Sequence, residues 1–343
     1  MPLRGAISGF GEVAAQAHLA GWRARPGVSI VAIHDPVAER RHRAINLIPN
    51  VRVYDDLELM LEGEAVDFVD VASPPAFHAG SVGLALEAGA NVLVEKPLCL
   101  EAAELDELNR LATCKSRVLM CVHNWRHAPA YRRAYELISQ ARLGEVRYLA
   151  LTRLRTEPAG GGGSAARSGE RWRLDTKTGG GILIDHGWHA FYLAQWLMGG
   201  DAPQAVSAHL GFRPGTTVDD LADLRIEFSR DRIAHVHLSW RAPVRRTSAM
   251  IYGSNGILEI EGERVILTER SGRTEDHSVG DAPDDSYHSA WFAGTAAEFE
   301  RAIAGGPEAP EARENRSQAR VALGLITGAR GSSGMGGSSL RLD

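Results

Sequence analysis

The stretch that most constrains this chain is its start, residues 3–22, LRGAISGFGEVAAQAHLAGW. Leu3–Ser8 is a short run that reads as a buried strand, and an amphipathic helix follows from about Val13. Between them a turn carries Gly9, Gly11 and Ala14 in a G-x-G-x-x-A spacing. Gly9 permits a sharp exit from the strand. Gly11 lets a pyrophosphate approach the backbone, and Ala14 lets the helix pack closely on the strand. The candidate phosphate cradle is therefore Gly9, Phe10, Gly11, Glu12 and Val13, with the free N–H groups and positive dipole end of the helix behind it. A second strand, residues 28–34, ends in Asp35. Lying roughly 20 residues past the turn, Asp35 is placed to accept from adenosine ribose hydroxyls.

Strand and helix signals then alternate. Helices are expected at 38–46, 56–61, 77–87 and 101–114, and strands at 51–54, 67–72, 91–94 and 118–122. Such alternation implies a doubly wound parallel sheet, whose ligands bind at the carboxyl ends of the strands. Beyond about residue 128 the pattern changes. Helices are expected at 130–141, 185–198, 287–303 and 316–325. Strand-like runs fall at 147–155, 221–228, 233–240, 247–252, 256–261 and 264–269, joined by short turns that suit antiparallel neighbours. The expected fold is α/β: a parallel sheet in residues 1–124, then an α+β domain with an open, mostly antiparallel sheet in 125–327. Residues 328–343 are rich in Gly and Ser and read as a flexible tail; residues 159–164, AGGGGS, read as a mobile loop. An open sheet leaves one face uncovered, which points to a homodimer or homotetramer.

The 343 residues have room for two such domains. A formal net charge of −5 gives no reason to expect nucleic acid or a membrane surface as partner. Three cysteines, Cys99, Cys114 and Cys121, have no C-x-x-C spacing and read as reduced thiols in the cytoplasm. No secretory leader is visible, and no run approaches the roughly 18 apolar residues of a membrane span.

Two clusters carry chemistry. Glu95-Lys96-Pro97 follows a predicted strand. Proline keeps Lys96 out of the helical region, so a lysine is fixed at a strand's carboxyl end; a solvated lysine in a surface turn is the plainer reading. The second cluster is GGGILIDHGWH, residues 179–189. On an α-helix Asp185 and His189, four apart, share one face, and a carboxylate beside an imidazole suits a general base. A capping Asp and an unrelated His remain the alternative. Two ligands without a clear third make a metal site the weaker reading.

Together, the glycine turn, the acid after strand two, Glu-Lys-Pro near residue 95 and G-G-G-x-L-x-D-x-G-x-H near residue 185 resemble the Gfo/Idh/MocA oxidoreductases over residues 3–327. The resemblance implies an N-terminal Rossmann domain and hydride transfer between a nicotinamide cofactor and a sugar, polyol or cyclitol carbon. It places Lys96, Asp185 and His189 in the catalytic site, with His189 exchanging the hydroxyl proton. Asp35 is implied as the ribose-binding acid, favouring NAD over NADP, although His34 and Arg40 lie near. Ser73, Pro74 and His78 are implied along the adenosine and pyrophosphate path, and Glu95 near the nicotinamide. Asn124 is implied beside the cofactor, and Arg126 and Trp172 beside the substrate. A cis Lys96–Pro97 bond is also implied. Arg126, Arg153, Arg155, Arg171 and Arg173 would suit an acidic substrate. Glycoside hydrolysis with tightly held NAD for transient oxidation would use the same residues; a non-catalytic nucleotide-binding regulator is a third reading, against which Lys96, Asp185 and His189 argue.

Overall fold

The computed structural model describes residues 2–158, 171–281 and 287–342. The chain divides into two compact units, Met1–His127 with Ala282–Ala319, and Ala128–Asp281 with Arg320–Asp343. The predicted loop at 159–164 lies outside the described residues.

The first unit is built on β1 (Leu3–Ser8), β2 (Val28–His34), β3 (Arg52–Tyr54), β4 (Phe68–Val71), β5 (Asn91–Val94) and β6 (Leu119–Cys121). They form one parallel sheet in the order β3-β2-β1-β4-β5-β6, the doubly wound arrangement. Its helices are α1 (Leu19–Arg23), α2 (Ala38–Leu47), α3 (Leu57–Gly63), α4 (His78–Glu87) and α5 (Ala102–Cys114). Asp56 caps α3 by accepting from Leu59 N, and a capping box of Glu101 and Glu104 opens α5. Before α1 the chain makes a wide π-helical turn, Ala14–His18.

Contrary to the expected boundary at 124/125, the chain returns to this unit. Helix α8 (Ser289–Gly305) sets Phe292, Ala296 and Phe299 in the same buried cluster as Trp22 and Phe68. Phe299 and Trp22 lie 5.7 and 4.7 Å from Phe68 between ring centroids. Burying one such ring contributes about 1.5–3 kcal/mol. Phe292 and Phe299 thus face an aromatic core supplied by residues far earlier in the chain.

The second unit contains α6 (Pro129–Ser139), β7 (Val146–Leu154), a π-helical turn at Leu183–Gly187, and α7 (Trp188–Leu197). It continues with β8 (Ala205–Phe212), β9 (Asp219–Phe228), β10 (Arg232–Ser239), β11 (Arg246–Gly253), β12 (Gly256–Glu261), β13 (Arg264–Glu269) and β14 (Thr274–Asp276). Helix α9 (Pro310–Gly334) enters this unit at Arg320, and β15 (Leu340–Arg341) ends the chain. The sheet runs β14-β13-β12-β11-β7-β10-β9-β8-β15, antiparallel except for β7 beside β10. Burial alternates along β10 and β12, so one sheet face is covered and the other is more open.

The expected flexible tail is ordered. Residues 328–334 continue α9, and Leu340 and Arg341 pair with Val206 and Ala205 of β8. Small residues are what the packing needs here. A Cβ on Gly328 would lie 2.7 Å from Leu342 Cδ2 and 2.8 Å from Val206 Cγ1. Ser332 Oγ accepts from Ala208 N at 2.9 Å, and Ser333 Oγ accepts from Leu210 N at 3.0 Å. The serines thereby satisfy backbone donors on a strand edge.

Candidate active site

In the first unit the two glycines of the turn answer to different demands. Gly9 adopts φ +92°, and a Cβ there would sit 2.6 Å from Ser73 N, so the protein's own backbone requires glycine. At Gly11 a Cβ would meet nothing within 4 Å. The chain itself therefore sets no demand for glycine at this position, which stands open. Asp35, fully buried, ties the turn to the end of β2: its Oδ2 accepts from Phe10 N at 2.7 Å and its Oδ1 from Val37 N at 2.9 Å. The Arg40 guanidinium lies 3.5 Å from Oδ2. Any ribose hydroxyl would share oxygens already held by backbone N–H groups; Oδ2 also faces Arg40, so Oδ1 is the oxygen that keeps a lone pair. Glu12 is paired with Arg43 at 2.6 Å, and Val13 leads into the π-helical turn.

The other strand ends converge on the same edge of the sheet. Ser73 and Pro74 follow β4. The buried His78 ring bridges two loops, with Nδ1 2.6 Å from Pro97 O and Nε2 2.7 Å from Ser73 O. Burial pulls its pKa below the ordinary value while both carbonyls pull the other way. Glu95 and Lys96 follow β5, and the Lys96–Pro97 bond is cis. Glu95 Oε2 accepts from Lys96 N at 2.9 Å. Beyond β6, burial and neighbouring Arg126 push His123 down to about 3. Arg126 itself is paired with Glu314 at 3.1 Å. Two buried oxygens, Ser73 Oγ and Asn124 Oδ1, have no hydrogen-bond partner among the described residues. Orphaned polar atoms at strand ends, with an open glycine turn, fit a dinucleotide lying across this edge.

In the second unit Gly181 adopts φ +111°, and a Cβ there would lie 2.3 Å from Asp219 Oδ1. Buried Asp219 needs that approach because its Oδ2 accepts from Leu183 N at 2.7 Å, capping the π-helical turn. Asp185 stands in this turn and His189 in the first turn of α7, so α-helical spacing does not by itself set their geometry. Both are buried. Asp185 Oδ2 accepts from Arg173 Nε at 3.1 Å and lies 3.8 Å from His186 Nδ1. His189 Nδ1 is 2.9 Å from the Tyr192 hydroxyl. Neither Arg173 nor Tyr192 follows as a partner from the Asp185–His189 spacing. Tyr192, three residues beyond His189 on a helix, was there to be read. Trp172 lies beneath the Arg173 guanidinium, 4.4 Å from its carbon. Burial depresses Arg153, and it lowers Arg155 to about 10; Asp185 opposes the shift in both.

Among the described residues no group of three or more His, Cys, Asp or Glu side chains is placed to hold a metal ion. No described helix is long and apolar enough to cross a membrane.

A parallel sheet in this order, with an open glycine turn and a lysine at the carboxyl end of β5, defines a nucleotide-binding domain of the dehydrogenase type. Residues 3–123 match the oxidoreductase family with an NAD-binding Rossmann fold, and residues 131–259 match the GFO/IDH/MocA C-terminal domain. The chain belongs to the GFO/IDH/MocA family of oxidoreductases. It is 29% identical to the D-glucoside 3-dehydrogenase of Escherichia coli (strain K12), over 73% of either chain. It is 28% identical to the trans-1,2-dihydrobenzene-1,2-diol dehydrogenase of Xenopus laevis, over 68% of this chain and 66% of that one. Its fold is that of GenD2 from gentamicin A biosynthesis, solved in complex with NAD: TM-score 0.84, 24% identity, covering 100% of this chain and 97% of the other.

Proposed function

We propose that this oxidoreductase oxidises or reduces one CH–OH carbon of a sugar, polyol or cyclitol, with NAD rather than NADP. The observation that carries the reading is the strand-end edge of the first unit. There Gly11 opens onto space, Ser73 Oγ and Asn124 Oδ1 await partners, and Lys96 is anchored through Glu95. The sugar dehydrogenase among the relatives supports the substrate class. Asp35 supports NAD, because a carboxylate at the end of β2 repels a 2′-phosphate.

NAD, when bound, supplies the acceptor or donor of hydride. Gly9, Phe10, Gly11, Glu12 and Val13 would hold its phosphates, with Asp35, Ser73, Pro74, His78, Glu95 and Asn124 lining its path. Lys96 donates a hydrogen bond to the substrate oxygen and stabilises negative charge there as the proton leaves. His189 takes that proton on oxidation and returns it on reduction. Tyr192 at Nδ1 fixes the ring, so Nε2 is the nitrogen that exchanges it. Asp185, held by Arg173, orients the substrate's hydroxyls together with Trp172 and Arg126.

Three reduced cysteines support a cytoplasmic protein. The outer face of the second unit's sheet carries a depression of about 300 Å³ lined by Tyr148, Met250, Tyr252, Glu259 and Arg264 among others. That face supports a homodimer or homotetramer, which light scattering would read directly.

The experiment is a screen of sugars, inositols, sugar acids and aminosugars by NADH fluorescence, followed by kinetics of Lys96→Met and His189→Ala. Losing a positioned acid–base group costs about 100- to 10,000-fold in turnover. Each variant is expected to bind NADH and lose turnover, and the double variant to lose little more than either single one. Near-normal turnover in either single variant would remove that residue from the mechanism. NADH binding without turnover on any compound would favour a regulator, and cleavage of aryl glycosides with retained cofactor would favour the hydrolase.

A further inference from the structure

One charged assembly is buried in the first unit and is not explained by the glycine turn or by the strand-end lysine. Asp70 lies within β4 and is fully buried. Its carboxylate meets His18 Nδ1 at 2.9 and 3.0 Å and accepts from Trp22 Nε1 at 2.7 Å. The other nitrogen of His18, Nε2, lies 3.0 Å from Glu95 Oε1. Glu95 Oε2 in turn accepts from Lys96 N at 2.9 Å. The His18 ring is fully buried and stacks on Phe292, 3.9 Å between centroids at 15°.

With a carboxylate at each nitrogen, the ring needs both N–H donors, which only the imidazolium has. Burial opposes that charge, but Asp70 and Glu95 outweigh it and raise His18 to about 9. Glu95 moves the other way: burial would raise it, and His18 and Lys96 hold it below the ordinary carboxylate value. Buried Cys121 and His78 also feel the Glu95 charge. Well-packed apolar side chains fill such a space without the desolvation cost, so a buried ionic triad is weak support for stability as its purpose. Its geometry suggests another. His18 ends the π-helical turn behind the glycine turn, and Glu95 shares its second oxygen with the lysine backbone.

We propose that His18, braced by Asp70, is a positioning residue for Glu95 and, through Glu95, for the Lys96 backbone. The helix behind the phosphate cradle and the strand-end lysine are thereby held in one register. The proposal rests on the reading of Lys96 given above.

The test uses the full chain, with NADH as the binding probe and NMR of histidine ring nitrogens and backbone amides. His18 is expected to carry two N–H groups at pH 7 and to titrate near 9, with the Lys96 amide resonance following the same midpoint. A Lys96 amide blind to that titration overturns the proposal without any variant. On the substrate found by the screen, His18→Leu should lower kcat about 10- to 100-fold, as small misplacements do. Any rise in the KM for NAD, through Glu95 and the helix behind the cradle, should be smaller than the loss of kcat, and the acid limb of the pH profile should move upward as Glu95 loses its cation. His18→Gln, which keeps a donor toward Glu95, should recover part of kcat. If wild type, His18→Leu and His18→Gln share one kcat and one acid limb, the positioning role is wrong. Lys96→Met is the reference: normal turnover there sinks the Lys96 assignment, while the amide titration still decides whether His18 governs the lysine backbone.

Discussion

The buried imidazolium predicts how stability should depend on pH. Histidine in the unfolded chain titrates near 6.5, and His18 in the folded chain near 9. A folded-state value above the unfolded one means that the native protein binds the proton more tightly. The resulting stability is fully present below pH 6.5 and is lost as pH rises through 9. At 1.36 kcal/mol per pH unit the ceiling is about 3 kcal/mol; about 2 remains at pH 7.5 and well under 1 at pH 9. Urea unfolding of wild type and His18→Gln at pH 6, 7.5 and 9 measures this as a difference, in which titrations common to both proteins cancel. The gap between the two should be widest at pH 6 and shrink toward pH 9. A gap of constant size would mean that His18 binds its proton equally well folded and unfolded, and a gap that grows toward pH 9 would mean that it folds neutral; either result refutes the reasoning about its two carboxylates.

The two turn glycines should separate cleanly. Gly11→Ala, with nothing within 4 Å of the new methyl, should fold with wild-type stability yet bind NADH at least about tenfold more weakly. Gly9→Ala, at φ +92° and against Ser73 N, should lose roughly 2 kcal/mol or more of stability in the same urea titration. Tyr192→Phe removes the hydroxyl 2.9 Å from His189 Nδ1 and should cost about 1 kcal/mol, some fivefold in kcat, with NADH affinity unchanged. Ending the chain at residue 327 removes the serine acceptors of Ala208 and Leu210 and the β15 pairing. The shortened protein should aggregate on heating well before the full chain, as light scattering would show.

What the sequence disclosed follows from how local each feature is. Gly9, Gly11 and Asp35 were legible because the demands on them, a turn and a strand-end acid, are written in spacing along one short stretch. The parallel sheet was legible because strand and helix periods alternate. His18 was not: its partners stand 52 and 77 residues away, and nothing on its own helix announces them. The return of α8 to the first unit was hidden for the same reason, since amphipathicity shows that a face is buried but not against what. Strand β8, AVSAHLGF, escaped because alanine, serine and glycine blur its alternation, although its buried positions do alternate at 206, 208 and 210. The C-terminal helix was misjudged because composition treats glycine and serine as disorder. Here glycine admits close packing and serine accepts from a strand edge.

Both motif helices begin with a π-helical turn, Ala14–His18 and Leu183–Gly187. Such a turn holds one residue more than an α-helix of the same span. Deleting a single residue from either would let the backbone relax into a regular α-helix of the same span, so the side chains that follow would keep their direction. Each turn therefore seats an extra residue next to a glycine motif without turning the buried face of the helix behind it. The same deletion placed inside the regular helix beyond would rotate everything after it by about 100°.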